Sequence, residues 1–149
     1  FDWYSQYFEQ YKHENRYIKY SNYTMNSQIK NLIFDVITSQ NKMLKYKEIL
    51  PEHIINDYSD KYIYIFCGFT NNTHAASDFI KVAEASQKSF VLEIQVIINA
   101  TDNLKNTNFS RKIYDIARIP IDSININNSL LFVFKDQYGN ILFETPVNI

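Results

Sequence analysis

Apolar and polar residues along this chain fall into two regimes, helical spacing before about residue 58 and strand-like spacing after it. Near the start, Trp3, Tyr7 and Tyr11 share one stripe at i, i+4, i+8, with Tyr4 and Phe8 beside it. That spacing predicts an amphipathic helix ending near Tyr20. Ile29, Leu32, Ile33, Val36, Ile37 and Leu44 then recur at helical spacing behind the candidate caps Thr24, Asn26 and Ser27, predicting a helix over about 26–46. Pro51 suits the first position of one more short helical turn, which would carry Ile54 and Ile55 inward and end near Asp57.

From Lys61 to Phe69 the residues are continuously apolar and β-favouring, as in a central strand covered on both faces. Asp78 to Ala85 reads as a weaker strand, followed by a turn at Ser86 to Ser89. Over Phe90 to Asn99, Leu92, Ile94, Val96 and Ile98 alternate with Glu93, Gln95 and Ile97, which predicts a half-buried strand closing a hairpin. The polar stretch 100–110 reads as an exposed loop, and Lys112 to Ile121 as a strand that Pro120 confines to an edge or terminates. Leu130 to Lys135 and Ile141 to Val147 form a last hairpin around Asp136 to Asn140. The expectation is a single α+β domain, with N-terminal helices (1–58 mainly helical) packed on an antiparallel sheet of about five strands (61–149 mainly β).

Composition narrows the function classes. In 149 residues, 46% hydrophobic and 16% aromatic content can build a core without disulfide or metal. Fifteen basic and 16 acidic residues are well mixed and leave a net charge of -1, so no extended field draws in nucleic acid or an anionic membrane. Recurrent Asn, Ile and Tyr, with Lys preferred over Arg, point to an AT-rich genome. The longest apolar run, Tyr62 to Phe69, is far short of the roughly 20 residues of a membrane span, so no transmembrane segment is expected. Phe1 in place of Met implies that an N-terminal piece has been removed by natural processing or by design; natural cleavage would favour an extracytoplasmic or secreted protein.

The chemistry-bearing residues are sparse. Cys67 and His74 stand seven positions apart, but a lone cysteine in a strand reads as a buried, inert small hydrophobe. His13 with Glu14, and His53 with Glu52 and Asp57, lack metal-ligand spacing. Asp115 and Glu144, each in a strand, are expected on solvent-facing sides. Only Gly68 and Gly139 occur, too few for a phosphate-cradling loop, and no cofactor is implied. Tyr62, Tyr64 and Phe66 alternate as base-stacking rings would, yet lack basic neighbours. By contrast, Tyr7, Tyr11, Tyr17, Tyr20 and Tyr23 exceed what one helix face can bury: either the helix packs its aromatic stripe on the sheet with the hydroxyls at the rim, or the rings form the surface for a protein partner.

Lys61-Tyr-Ile-Tyr-Ile-Phe-Cys-Gly-Phe69 onward through Lys112-Ile-Tyr-Asp-Ile-Ala-Arg-Ile-Pro120 resembles the protease-complex-associated PrcB-type domain of bacterial envelope proteins. The shared order is hydrophobic strand, glycine, loop, hairpin, long loop and strand. That family carries Gly-Gly-Tyr after the first strand, where this chain has Ala75, Ala76, Ser77, Asp78 and Phe79. The resemblance implies a small extracytoplasmic β-rich accessory domain that binds a protein. From the residues alone, the expected function is a non-enzymatic protein-binding or accessory domain, with Tyr7, Tyr11, Tyr17 and Tyr20 at the partner surface. The alternative is a small enzyme or small-molecule binder with a site between helices and sheet, rimmed by His74 and the 100–110 loop.

Overall fold

A computed structural model describes residues 2–3, 32–70, 73–74, 78–99, 109–110, 113–126 and 129–148. They form a mostly β protein, which corrects the expected α+β arrangement. Sheet 1 runs in the order β1 (Asp2–Trp3), β8 (Tyr114–Pro120), β3 (Tyr62–Phe69), β2 (Leu32–Ile37). Sheet 2 runs in the order β10 (Ile141–Val147), β9 (Leu130–Lys135), β6 (Val91–Asn99), β5 (Phe79–Lys88). A two-stranded ribbon pairs β4 (Thr73–His74) with β7 (Phe109–Ser110). Helix is confined, among the described residues, to α1 (Gln40–Leu44), α2 (Glu52–Asn56) and a 3-10 turn at Ile121–Ser123.

The largest correction falls on the helix expected over 26–46, where residues 32–37 are instead an edge strand antiparallel to β3. Leu32, Phe34 and Val36 pack toward sheet 2, while Ile33 and Ile37 pack into the helical layer. A strand buried on both faces shows no alternation, and a short apolar run of that kind cannot be told from a buried helix by periodicity. Leu44, expected inside, is exposed. Trp3, expected on a helix, lies in β1 opposite Ala117, and the rest of the expected N-terminal helix, 4–20, lies outside the described residues. Pro51 does precede α2, whose Ile54 and Ile55 are buried.

The two sheets face each other across one core. Ile63, Ile65 and Cys67 of β3 and Ala117 and Ile119 of β8 meet Val82, Leu92, Ile94, Val96 and Ile98 from the β5–β6 hairpin, with Phe132 and Phe134 of β9. Each such fully buried aliphatic or phenyl side chain contributes about 1.5–3 kcal/mol relative to exposure. On its other face sheet 1 carries Tyr64, Phe66 and Ile116, covered by Met43, Tyr46, Leu50, Ile54 and Ile55. The layers are therefore helices, sheet 1, sheet 2, with Glu93 and Lys135 paired on the outer face of sheet 2 at 2.8 Å.

β3 is central, as its composition predicts. Gly68 packs closely there: a Cβ would sit 3.1 Å from the Ile113 carbonyl oxygen, so the neighbouring backbone would have to shift by a few tenths of an ångström. The β5–β6 hairpin and the β9–β10 hairpin also follow the sequence reading, although β5 runs on to Lys88 and the first turn moves to Ser89 and Phe90, with Ser89 at φ 59. One pairing departs from the expected antiparallel pattern: β6 and β9 are parallel, with Val91 opposite Leu131. The chain reaches β9 only after crossing to sheet 1 as β8.

Candidate functional site

The edges of the two sheets are treated differently on the two flanks of the sandwich. Successive strand residues direct their backbone N–H and C=O to opposite sides. On the β5 flank, the Val82 N–H donates to Asp115 Oδ2 at 2.9 Å, so a carboxylate of sheet 1 satisfies a donor of sheet 2. Asp115 is fully buried, which overturns its expected solvent-facing position: a strand carboxylate can turn inward when a backbone donor meets it. Cys67, its register partner, and Lys81 lie in the same buried region. Burial, reinforced by the negative Asp115, pushes the Cys67 thiol well up, so the buried cysteine is inert, as its sequence suggested. Desolvation lowers the Lys81 ammonium to about 8, against the opposing pull of Asp115. This cluster joins the sheets and is closed to solvent.

The opposite flank, between β2 and β10, is open among the described residues. Phe69 N–H donates to Ile113 O at 3.0 Å, so Phe69 and its alternate residues address β8 while Gly68, Phe66 and Tyr64 address β2. Their partners Ile33, Asp35 and Ile37 therefore turn their backbone groups inward, and Leu32, Phe34 and Val36 turn theirs outward. Val36 is capped: its N–H donates to Asp35 Oδ1 at 2.8 Å and its carbonyl accepts from Lys42 Nζ at 2.9 Å. Lys42 also faces Asp35 at 3.4 Å, and the Tyr46 hydroxyl donates to the other Asp35 oxygen. Burial, with help from that carboxylate, raises the Tyr46 hydroxyl pKa, so it remains a donor. Among the described residues nothing pairs with the outward groups of Leu32 and Phe34.

β10 guards its own edge. Leu131 N–H donates to Phe90 O at 2.9 Å, so Leu131 addresses β6 while Phe132 and Phe134 address β10. Opposite them Thr145 and Phe143 turn inward, leaving Glu144 and Pro146 outward. Proline removes one donor from that edge, glutamate places a charge on the strand, and the register shift between Ile141 and Phe143 breaks its regularity. Between the two edges, the rings of Phe34 and Phe134 lie 5.0 Å apart, and Phe143 closes a triad at 6.1 Å from Phe34 and 6.0 Å from Phe134. Phe143 is 39% exposed, and Ile141 and Tyr138 in the same hairpin are 55% and 41% exposed. The hairpin is rigid: buried Asp136 accepts from the N–H groups of Tyr138 and Asn140 at 2.9 and 2.8 Å.

Of the sequence-selected site residues, Tyr7, Tyr11, Tyr17 and Tyr20 lie outside the described residues. His74 is placed in β4 opposite Phe109. Of the stretch 100–110 expected to be an exposed loop, 100–108 lie outside the described residues, while Phe109 and Ser110 form strand β7 rather than loop. Tyr64 and Phe66 are buried beneath the helices, and Tyr62 stacks under Arg118 at 4.2 Å, so the alternating rings of β3 are spent on packing. Among the described residues no group of three or more His, Cys, Asp or Glu could hold a metal ion, and no helix is long and apolar enough to cross a membrane. Phe34 and Phe143 were not selected from sequence. Their only signal is being apolar, and their juxtaposition depends on two strands that never pair with each other. A scan of protein-family models and searches of curated proteins and solved structures each return no match to this chain.

Proposed function

We propose that this chain is a non-enzymatic protein-binding or accessory domain whose partner meets the open flank between β2 and β10. The observation that supports it is the contrast between flanks. The β5 side is closed by a buried carboxylate, whereas on the β2 side the phenyl ring of Phe143 is exposed and the outward backbone groups of Leu32 and Phe34 have no partner among the described residues. Exposed aromatics next to a rigid hairpin are characteristic of interface anchors. A small accessory domain is also what the PrcB-type resemblance implies.

A small-molecule site between helices and sheet is less well supported, because Met43, Tyr46, Leu50, Ile54 and Ile55 fill that layer against Tyr64 and Phe66. The test is affinity capture from fractions of the source cell with the full chain as bait, in parallel with a Phe143→Thr, Ile141→Lys variant checked for native circular dichroism. One stoichiometric protein should be retained by the unaltered chain and lost from the folded variant. Equal retention on both baits would refute the placement, and retention of no protein would refute the reading itself.

A further inference from the structure

Resting on that reading, we propose that the partner contributes an extended segment that adds as a strand to the outer edge of β2. Its apolar side chains fall at alternate positions, and acidic residues flank the end lying beside α1. Three features on the open flank define this occupant. In an antiparallel addition, the outward N–H and C=O groups of Leu32 and Phe34 can form four ladder hydrogen bonds with two alternate residues of the added strand. The side chains of those two residues share the face of Leu32 and Phe34, so they lie over the triad and must be apolar. The ladder stops at Val36, whose N–H and carbonyl are already held by Asp35 and Lys42.

Charge selects what lies beyond that stop. Lys42, ion-paired with Asp35 next to the capped carbonyl, keeps 42% of its side chain exposed, and the turn that follows exposes Lys45 and Lys47 against one carboxylate, Glu48, so the patch is net basic. Acidic residues on the added segment meet this basic cluster if they flank the end of the strand nearest Val36. They precede the apolar pair, because an antiparallel segment runs from the Val36 end of β2 toward Leu32. β10 does not compete for the same segment, because Pro146 and Glu144 occupy its outward positions.

A phage library of random peptides panned on the full chain tests this. Enriched peptides should carry two apolar residues at alternate positions with acidic residues preceding them. A synthetic peptide of the enriched sequence, at ten times its Kd, should slow hydrogen exchange of the Leu32 and Phe34 amides about ten-fold. N-methylating the peptide residue opposite Phe34 should weaken binding about ten-fold by removing one ladder donor. A Lys45→Glu, Lys47→Glu variant should weaken it about three-fold, with the loss disappearing at high salt. Protection at Glu144 or Phe90 instead would overturn strand addition while leaving a binding domain in place. Failure to enrich any peptide would also overturn it, and the capture experiment above would then decide separately whether a partner exists. Concentration-dependent protection of Leu32 and Phe34 in the chain alone would make the occupant a second copy and overturn a partner segment.

Discussion

Replacing Asp115 tests the reasoning about the closed flank most directly. In Asp115→Ala the Val82 N–H, held at 2.9 Å from the carboxylate, loses its acceptor in a dry interior. Leaving a buried donor unsatisfied costs about 1–3 kcal/mol. Removing the negative charge also withdraws the interaction that opposes the desolvation of Lys81. Together with the void left by the carboxylate, these effects give an expected loss of about 3 kcal/mol, with a range of about 2–5. At roughly 3 °C per kcal/mol for a chain of this size, melting should fall by about 10 °C. Asp115→Asn separates the contributions, since its amide oxygen can still accept from Val82 while the charge is gone. It should lose about half as much. Urea unfolding followed by tryptophan and tyrosine fluorescence gives the comparison. A loss below about 1 kcal/mol for Asp115→Ala, or equal losses for the two variants, would refute the hydrogen-bonded clip between sheets.

Two further outcomes follow from the same geometry. Because Lys81 is lowered from 10.5 to about 8, the folded chain releases this proton at a pH where the unfolded chain still holds it. Lys81 should therefore destabilise the fold fully below pH 8 and progressively less as pH rises from 8 to 10.5. Cys67 acts in the opposite direction above its unfolded pKa, so the readout is the difference in unfolding free energy between the unaltered chain and Lys81→Met, which should shift in favour of the unaltered chain across that window. A flat difference would sink the assignment. Asp35→Ala should uncap Val36 and free Lys42, extending the open edge of β2; light scattering should show more self-association at high concentration, and unchanged scattering would mean the cap does not limit edge pairing.

Much of sheet 2 was legible because its signals are local. The alternation of Leu92, Ile94, Val96 and Ile98, and the Asp136 to Asn140 turn, specify hairpins from neighbouring residues. β3 was legible from its unbroken run of aromatic and β-branched residues, and α2 from Pro51. What failed was non-local. β2 reads as helix because Ile33 and Ile37 find a second apolar layer that periodicity does not reveal. Asp115 reads as solvent-facing because its partner is a backbone donor 33 residues away. The open flank could not be read at all, since Phe34 and Phe143 converge only through the stacking of two separate sheets.

The parallel pairing of β6 with β9 also dictates an order of assembly. The β5–β6 hairpin can close within microseconds, yet the other side of β6 must wait for a strand some 40 positions later. The long-range ties across that gap are consistent: Gln87 to Asn125, Ile98 to Gln137 and Glu93 to Lys135 span 38 to 42 residues. At about 5–20 residues per second on the ribosome, β6 stands with a bare edge for about 2–8 seconds before β9 is made. Sheet 2 is two local hairpins joined by one long-range pairing, and refolding should be set by the search for the β6–β9 register, on the millisecond-to-second scale of non-local β topologies. The vulnerable species during synthesis is thus a half-built sheet 2, and Glu93 and Gln95, polar residues on the outer face of β6, are the ones placed to keep that waiting strand in solution.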